Sequence, residues 1–305
     1  MIVTKIHAGL GNQLFQYATG RALSIHLNTE LKLDLTFYDN LDNKNAYRLN
    51  RFNLETKQSN NQEFEYLRNV SNVPFPYRVL KKLGIRRYPY FKNTHILEQE
   101  IIELLNSSSL NFDNYYLEGW FANENYFKDY RSTIIFDLNA DFLLVEANLN
   151  MQHEIKNSNS VSVHIRRGDY LSNSYFKTLP ITYYKNAIEK IKVDIDTPKF
   201  FFFSNDIEWT KNNFKDVQNA IFIEKNSKAD TSFSTTGDIE DLMLMRSCKH
   251  NIIANSTFSW WGAWLNENPS KKVYFPSGWY NDAKAQKQFE KNSFIPSGWI
   301  KIQFK

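Results

Sequence analysis

From Ser160 onward the chain alternates short apolar runs with segments of helical spacing, and this alternation restricts the possible folds more than any other feature. The apolar runs are Ser160 to Ile165, Lys199 to Phe203, Ala220 to Glu224, Asn251 to Ala254 and Lys272 to Phe275. Between them lie helical patterns at Ile181 to Val193, Ile207 to Phe214, Asp238 to Ser247 and Phe258 to Asn266. Strand and helix in strict turn imply a parallel sheet covered by helices on both faces. Ligands of such sheets bind beyond the carboxyl ends of the strands, so polar residues at those ends are the first candidates for a site.

The first half is less regular. Ile2 to Ile6 reads as a strand, followed by the loop His7-Ala-Gly-Leu-Gly-Asn-Gln13 and a helix with Leu14, Ala18, Ala22 and Ile25 at helical spacing. Further strands are predicted at Leu31 to Leu35 and Tyr115 to Trp120, and helices at Ile96 to Leu105 and Asp141 to Lys156. The run from Asp39 to Asn53 reads as loop. Short helical pieces and a basic aromatic patch, Arg86 to Lys92, fall between Asn60 and Asn93. That patch could touch an acidic or lipid-bearing partner or be a solvated loop. A length of 305 residues suggests two domains of about 150 each. The small polar cluster Asn157-Ser-Asn-Ser160 is the predicted boundary, giving an α/β chain divided 1–157 and 158–305.

The net charge of +4, from 37 basic and 33 acidic residues, fits an anionic small ligand or a weak pull towards a membrane surface, and does not predict nucleic-acid binding. Cys248 is the only cysteine, which excludes an intramolecular disulfide framework and a cysteine-based zinc site. The N-terminus lacks the apolar length of a signal peptide and no stretch approaches a membrane span, so a cytosolic protein with at most peripheral membrane contact is expected.

Three strand ends carry residues suited to a phosphate. After Val161, Val163 and Ile165, which form one apolar strand face, come Arg166, Arg167, Gly168 and Asp169. A guanidinium grips phosphate through two parallel hydrogen bonds, which makes Arg166 a pyrophosphate clamp. The alternative is an ordinary turn in which Arg166 or Arg167 pairs with Asp169. The second end is Ser204-Asn205-Asp206, where Asp206 could accept from a guanine edge or cap the following helix. The third is Asn255-Ser256-Thr257, which offers side-chain donors together with helix N-terminal N–H groups. Gly9 and Gly11, in the first loop, likewise either turn the chain around an anion or simply join a strand to a helix. Two acidic clusters read as structural: Asp194-Ile-Asp196 as a solvated turn, and Asp238, Glu240 and Asp241 as the opening of a helix.

Taken together, Gly9-Leu-Gly-Asn-Gln-Leu-Phe-Gln-Tyr-Ala18, His164-Ile-Arg-Arg-Gly-Asp-Tyr170, Ser204-Asn-Asp206 and Asn255-Ser-Thr-Phe-Ser-Trp-Trp-Gly-Ala-Trp-Leu265 resemble glycosyltransferase family 11, whose characterised members are α-1,2-fucosyltransferases. The blocks stand in the family's order and span nearly the whole chain. The resemblance implies a GT-B fold, two Rossmann-like domains facing a cleft, with the N-terminal domain on the acceptor side and the C-terminal domain holding GDP-fucose. It implies no obligatory metal or other cofactor. It also implies that Arg166 contacts the donor β-phosphate and that Asn12 lies near the reaction centre, where Asn12 orients a reactant or caps its helix. Donor contacts are implied at Gly9, Gly11, Gln13, His164, Gly168, Asp169, Asn205, Asp206, Asn255, Ser256, Thr257 and Phe258. Some relatives in other families carry a glutamate base shortly after the Arg-Arg pair, but Leu171 to Thr178 contains no acid, so the base is open.

The expected reaction is inverting transfer of L-fucose from GDP-β-L-fucose to the 2-hydroxyl of a terminal galactose. The acceptor is a β-galactoside: a free oligosaccharide, a lipid-linked O-antigen unit or a glycolipid. The alternatives are a GDP-fucose transferase of other regiochemistry and a glycan- or GDP-sugar-binding module without turnover.

Overall fold

The computed structural model describes residues 1–39, 46–58, 79, 83, 98–106, 115–141, 144–224, 237–291 and 294–304. The chain packs as two units, Met1–Leu138 and Asn139–Lys305. The patch Arg86 to Lys92, and with it almost all of Asn60 to Asn93, lies outside the described residues.

The first unit is built on a parallel sheet of order β3-β2-β1-β4: β1 is Ile2–Lys5, β2 Leu31–Asp34, β3 Lys57–Gln58 and β4 Tyr115–Leu117. Helix α1, Leu10–His26, follows β1 directly. It lies so close to the strand that a Cβ on Gly20 would stand 2.2 Å from Thr4 Oγ1, so only glycine fits there. The helix ends in a Schellman turn: Asn28 takes a left-handed φ of 46°, its N–H donates to Ile25 O, and Thr29 N–H donates to Ser24 O. Helices α2, Glu98–Leu105, and α3, Arg131–Asp137, complete the unit's regular α structure among the described residues.

Among the described residues the second unit has six parallel strands in the order β10-β9-β8-β5-β6-β7. These are β5 Ser160–Ile165, β6 Lys199–Ser204, β7 Ala220–Phe222, β8 His250–Ile252, β9 Val273–Pro276 and β10 Ile300–Ile302. Its helices are α4 Glu146–Lys156, α5 Ile181–Asp194, α6 Ile207–Phe214, α7 Gly237–Ser247, α8 Thr257–Trp264 and α9 Ala283–Lys291. Strand β6 shows why both sheet faces must be covered. Phe200 and Phe202 join Val161, Val163 and Ile165 under α5, while Phe201 and Phe203 meet Ile155 of α4 and Leu244 and Met245 of α7 on the opposite face.

Helix α4 therefore packs with the second unit, and the division falls before it rather than after it at 157/158: its apolar residues have their partners on β6 and α7. Strand β10 and helix α9 were not anticipated. No described helix is long and apolar enough to cross a membrane.

Both sheets reverse direction once. In the second unit the chain builds outwards through β5, β6 and β7, then returns to the other side of β5 with β8, β9 and β10. In the first it runs β1, β2, β3 and then places β4 on the far side of β1. The gaps between the carboxyl ends of β5 and β8, and of β1 and β4, are thus topological switch points, where open α/β sheets bind ligands.

Candidate active site

The two strands that flank the second unit's switch point end in the expected residues. Arg166 follows β5, and Asn255 lies just beyond β8. The Nη2 of Arg166 pairs with Asp169 Oδ1 at 2.8 Å, and its guanidinium stands 5.5 Å from the centre of the Tyr170 ring. Its Nε is buried and has no hydrogen-bond partner among the described residues. Beside it, His164 is buried at the end of β5 with its ring centre 5.5 Å from that of Phe258, and its Nδ1 also has no partner among the described residues. Burial, and then the positive charge of Arg166, push the His164 pKa down to about 3, so the imidazole is neutral at physiological pH.

Asn255 is fully buried. Its Nδ2 donates to the carbonyls of Lys177 at 2.7 Å and Trp279 at 2.8 Å, and its own carbonyl accepts from the Tyr170 hydroxyl at 3.1 Å. Its Oδ1 has no partner among the described residues. Ser256 caps α8 by accepting from Phe258 N–H at 3.3 Å, and Thr257 opens that helix. Arg166 Nε, His164 Nδ1 and Asn255 Oδ1 thus place three buried, unsatisfied polar atoms on the two strands of one switch point.

The neighbouring residues are occupied in building this edge. Arg167 stacks its guanidinium 3.7 Å from the Trp209 ring centre and donates from Nε to Asp206 Oδ2 at 3.2 Å. The other carboxylate oxygen of Asp206 caps α6 by accepting from Trp209 N–H at 3.3 Å. Asn205 Oδ1 accepts the Arg167 backbone N–H at 3.0 Å. Gly168 has φ +25°, and a Cβ there would stand 2.3 Å from Asn205 Nδ2; the close approach that requires glycine is to Asn205. Both readings of the Arg-Arg-Gly-Asp turn therefore meet here, an ion pair at Arg166–Asp169 and a buried arginine donor above it. Trp209 and Tyr170 were missed as parts of the site; Trp209 sits three residues after the cap Asp206, the only sequence signal it gives.

In the first unit Gly9 is the N-cap of α1, with extended backbone and no side chain to cap with, and Gly11 lies in the first turn. Asn12 is the third helical residue, half-buried, its N–H donating to Gly9 O at 3.0 Å. It is therefore not the N-cap. Gln13, expected at the donor, is fully buried with both ends of its amide committed. Its Nε2 donates to Ala8 O at 2.8 Å and Ala46 O at 2.6 Å, and its Oε1 accepts from Arg48 N–H at 2.9 Å. Gln13 braces the loop rather than offering hydrogen bonds to a ligand.

No three His, Cys, Asp or Glu side chains are grouped to hold a metal among the described residues. Asp194 accepts from the Tyr274 hydroxyl at 2.6 Å and faces Lys272. Glu240 is bonded by the Asn148 amide. Asp194, expected in a solvated turn, is instead the last residue of α5, and it and Glu240 both have protein partners.

The model of glycosyl transferase family 11 matches residues 1–303. The chain belongs to glycosyl transferase family 11. It is 33% identical over 293 residues to the O-antigen biosynthesis glycosyltransferase WbnK of Escherichia coli, covering 90% of this chain and 93% of that protein. With the alpha-1,2-colitosyltransferase of Escherichia coli it shares 32% identity over 318 residues, 99% of either chain. Among solved structures, the fucosyltransferase NodZ from Bradyrhizobium superposes with a TM-score of 0.52 at 13% identity, over 86% of this chain and 91% of that one; NodZ has been co-crystallised with GDP. These likenesses and the paired parallel sheets identify an α/β fold of the GT-B type.

Proposed function

We propose that this family 11 enzyme transfers L-fucose, with inversion, from GDP-β-L-fucose to the 2-hydroxyl of a terminal galactose. The observation that carries the reading is the buried Nε of Arg166 at the β5–β8 switch point, which has no acceptor among the described residues. A buried donor without an acceptor costs about 1–3 kcal/mol, a cost that a phosphate oxygen brought to this edge would relieve.

In the reaction the acceptor hydroxyl oxygen forms a bond to the fucose anomeric carbon while the bond from that carbon to the β-phosphate oxygen breaks, and GDP departs with the electron pair. The acceptor's proton passes to solvent water as the new glycosidic bond forms. Negative charge grows on the β-phosphate, where a preorganised guanidinium contributes most. Asn12 orients a reactant so that the reacting atoms come within about 3–3.5 Å. No step routes through a metal, so chelation with EDTA leaves the rate nearly unchanged; a rate abolished by EDTA and restored by Mg²⁺ or Mn²⁺ counts against this scheme.

Incubation with GDP-fucose and lactose should release GDP and yield a trisaccharide whose linkage analysis gives the 2-position. Absence of GDP release would refute fucosyl transfer, and a different linkage would refute the regiochemistry. The 32% identity to a colitosyltransferase supports a second reading, in which the donor sugar is colitose, an L-fucose lacking its 3-hydroxyl. Side-by-side kcat/KM values for the two GDP-sugars decide between them.

A further inference from the structure

We propose that Trp120 and His7, at the carboxyl edge of the first unit's sheet, form a stacking platform for a galacto-configured pyranose, the acceptor sugar of the transfer inferred above. The placement follows from topology. His7 stands two residues beyond β1 and Trp120 three beyond β4, so the pair flanks the first unit's switch point.

The pair is preorganised. One fully buried side chain, Gln16, accepts the His7 backbone N–H at 2.9 Å and donates to Gly119 O at 3.3 Å, tying the loop after β1 to the loop after β4. The His7 and Trp120 ring centres are 4.8 Å apart at 75°, and the Phe37 ring centre is 5.9 Å from that of His7. Each member is followed by a non-glycine residue in the left-handed region, Ala8 at φ 64° and Phe121 at φ 52°. Such conformations cost of order 1–3 kcal/mol and persist where the surroundings enforce them, commonly at functional sites. At Phe121 the consequence is direct: the reversal buries its ring completely and leaves Trp120 55% exposed. By contrast Trp260, Trp261, Trp264 and Trp279 are buried.

The chemistry selects the ligand. An aromatic face carries a negative quadrupole and attracts polarised C–H groups. In a galacto-configured ring the axial 4-hydroxyl leaves the C–H bonds of carbons 3, 4 and 5 on one face, an apolar patch that matches an indole; the gluco epimer lacks it. Burial, and then the charge of Lys5, hold His7 below its ordinary pKa, so its ring is neutral near pH 7 and adds aromatic rather than ionic surface. Asn12, in the first turn of α1, belongs to the same strand-to-helix connection as His7.

The test uses the full chain with Trp120→Ala and Trp120→Phe. Saturation-transfer NMR with methyl β-galactoside and methyl β-glucoside reads sugar binding without turnover. Transfer to lactose gives the acceptor KM, and GDP binding with slow GDP-fucose hydrolysis reads the donor side. Alanine should raise the acceptor KM roughly 10- to 100-fold, the scale of one lost stacking contact, and erase the preference for the galactoside. Phenylalanine should restore part of both, with GDP affinity and hydrolysis unchanged in either variant. An unaltered acceptor KM in Trp120→Ala, or acceptor and GDP affinity falling together, overturns the platform. If the parent chain does not turn over GDP-fucose but binds the galactoside in a Trp120-dependent way, the platform stands and the donor reading fails.

Discussion

Arg167 commits its guanidinium to Trp209 and Asp206, whereas its neighbour Arg166 retains a buried Nε that no described residue accepts. Sequence alone placed the pair beyond a strand and could not divide their labour, because adjacent residues at a strand end point different ways and the partner Trp209 is 42 positions after Arg167. The difference can be tested. Arg166→Lys keeps the charge and loses the planar fork; kcat/KM should fall roughly 10²- to 10³-fold, the scale for removing one preorganised donor to developing negative charge. Near-normal turnover would reduce Arg166 to its surface pair with Asp169. Asn12 offers a second test. Because Gly9 holds the N-cap position, Asn12→Ser removes a side-chain carbonyl without removing a cap, so kcat should drop while melting temperature and GDP affinity hold. Retained kcat would remove Asn12 from the chemistry.

At the scale of elements, the alternation after Ser160 was legible because both faces of a parallel sheet are buried and its strands are rich in apolar residues; Phe200 to Phe203 is the extreme case. What escaped were elements with little burial to announce them. Helix α9 has no fully buried residue and packs through Phe289, whose ring centre lies 5.0 Å from that of Trp279. Strand β10 is three residues long at a sheet edge. Nor could spacing distinguish the brace Gln13 from a ligand contact, since its partners Ala46 and Arg48 lie beyond another strand. The α1–β1 contact carries its own prediction. On helix propensity alone Gly20→Ala should gain up to about 1 kcal/mol, but the added methyl meets Thr4 Oγ1 at 2.2 Å. Overpacking costs typically about 1–3 kcal/mol and wins. The melting temperature should fall, and Thr4→Ala in the same chain should recover part of the loss; a stabilised single variant would show that the helix can move off the sheet.

Over the whole molecule, the two sheets repeat one plan, a switch point with the phosphate-type residues in the second unit and the aromatic pair in the first, and this repetition is what the irregular first half hid. The second unit pairs that plan with a pH dependence. His164 is neutral in the folded chain, its pKa held at about 3 by burial and then by Arg166, while in the unfolded chain it titrates near 6.5. Between those values the unfolded state binds more protons than the folded one, so stability is full above about pH 6.5 and declines as pH falls towards 3. The decline attributable to this group is at most about 1.4 kcal/mol per pH unit. His250 and His7, also held below their ordinary values by burial first, act with the same sign. In His164→Gln the acid-side contribution disappears. The parent should therefore lose more of its urea midpoint than the variant between pH 7.5 and 5, followed by fluorescence from Trp260, Trp261 and Trp264, which are buried in the second unit. Parallel midpoints across that range would mean that His164 takes up its proton as readily folded as unfolded, and the neutral imidazole beside Arg166 would have to be abandoned.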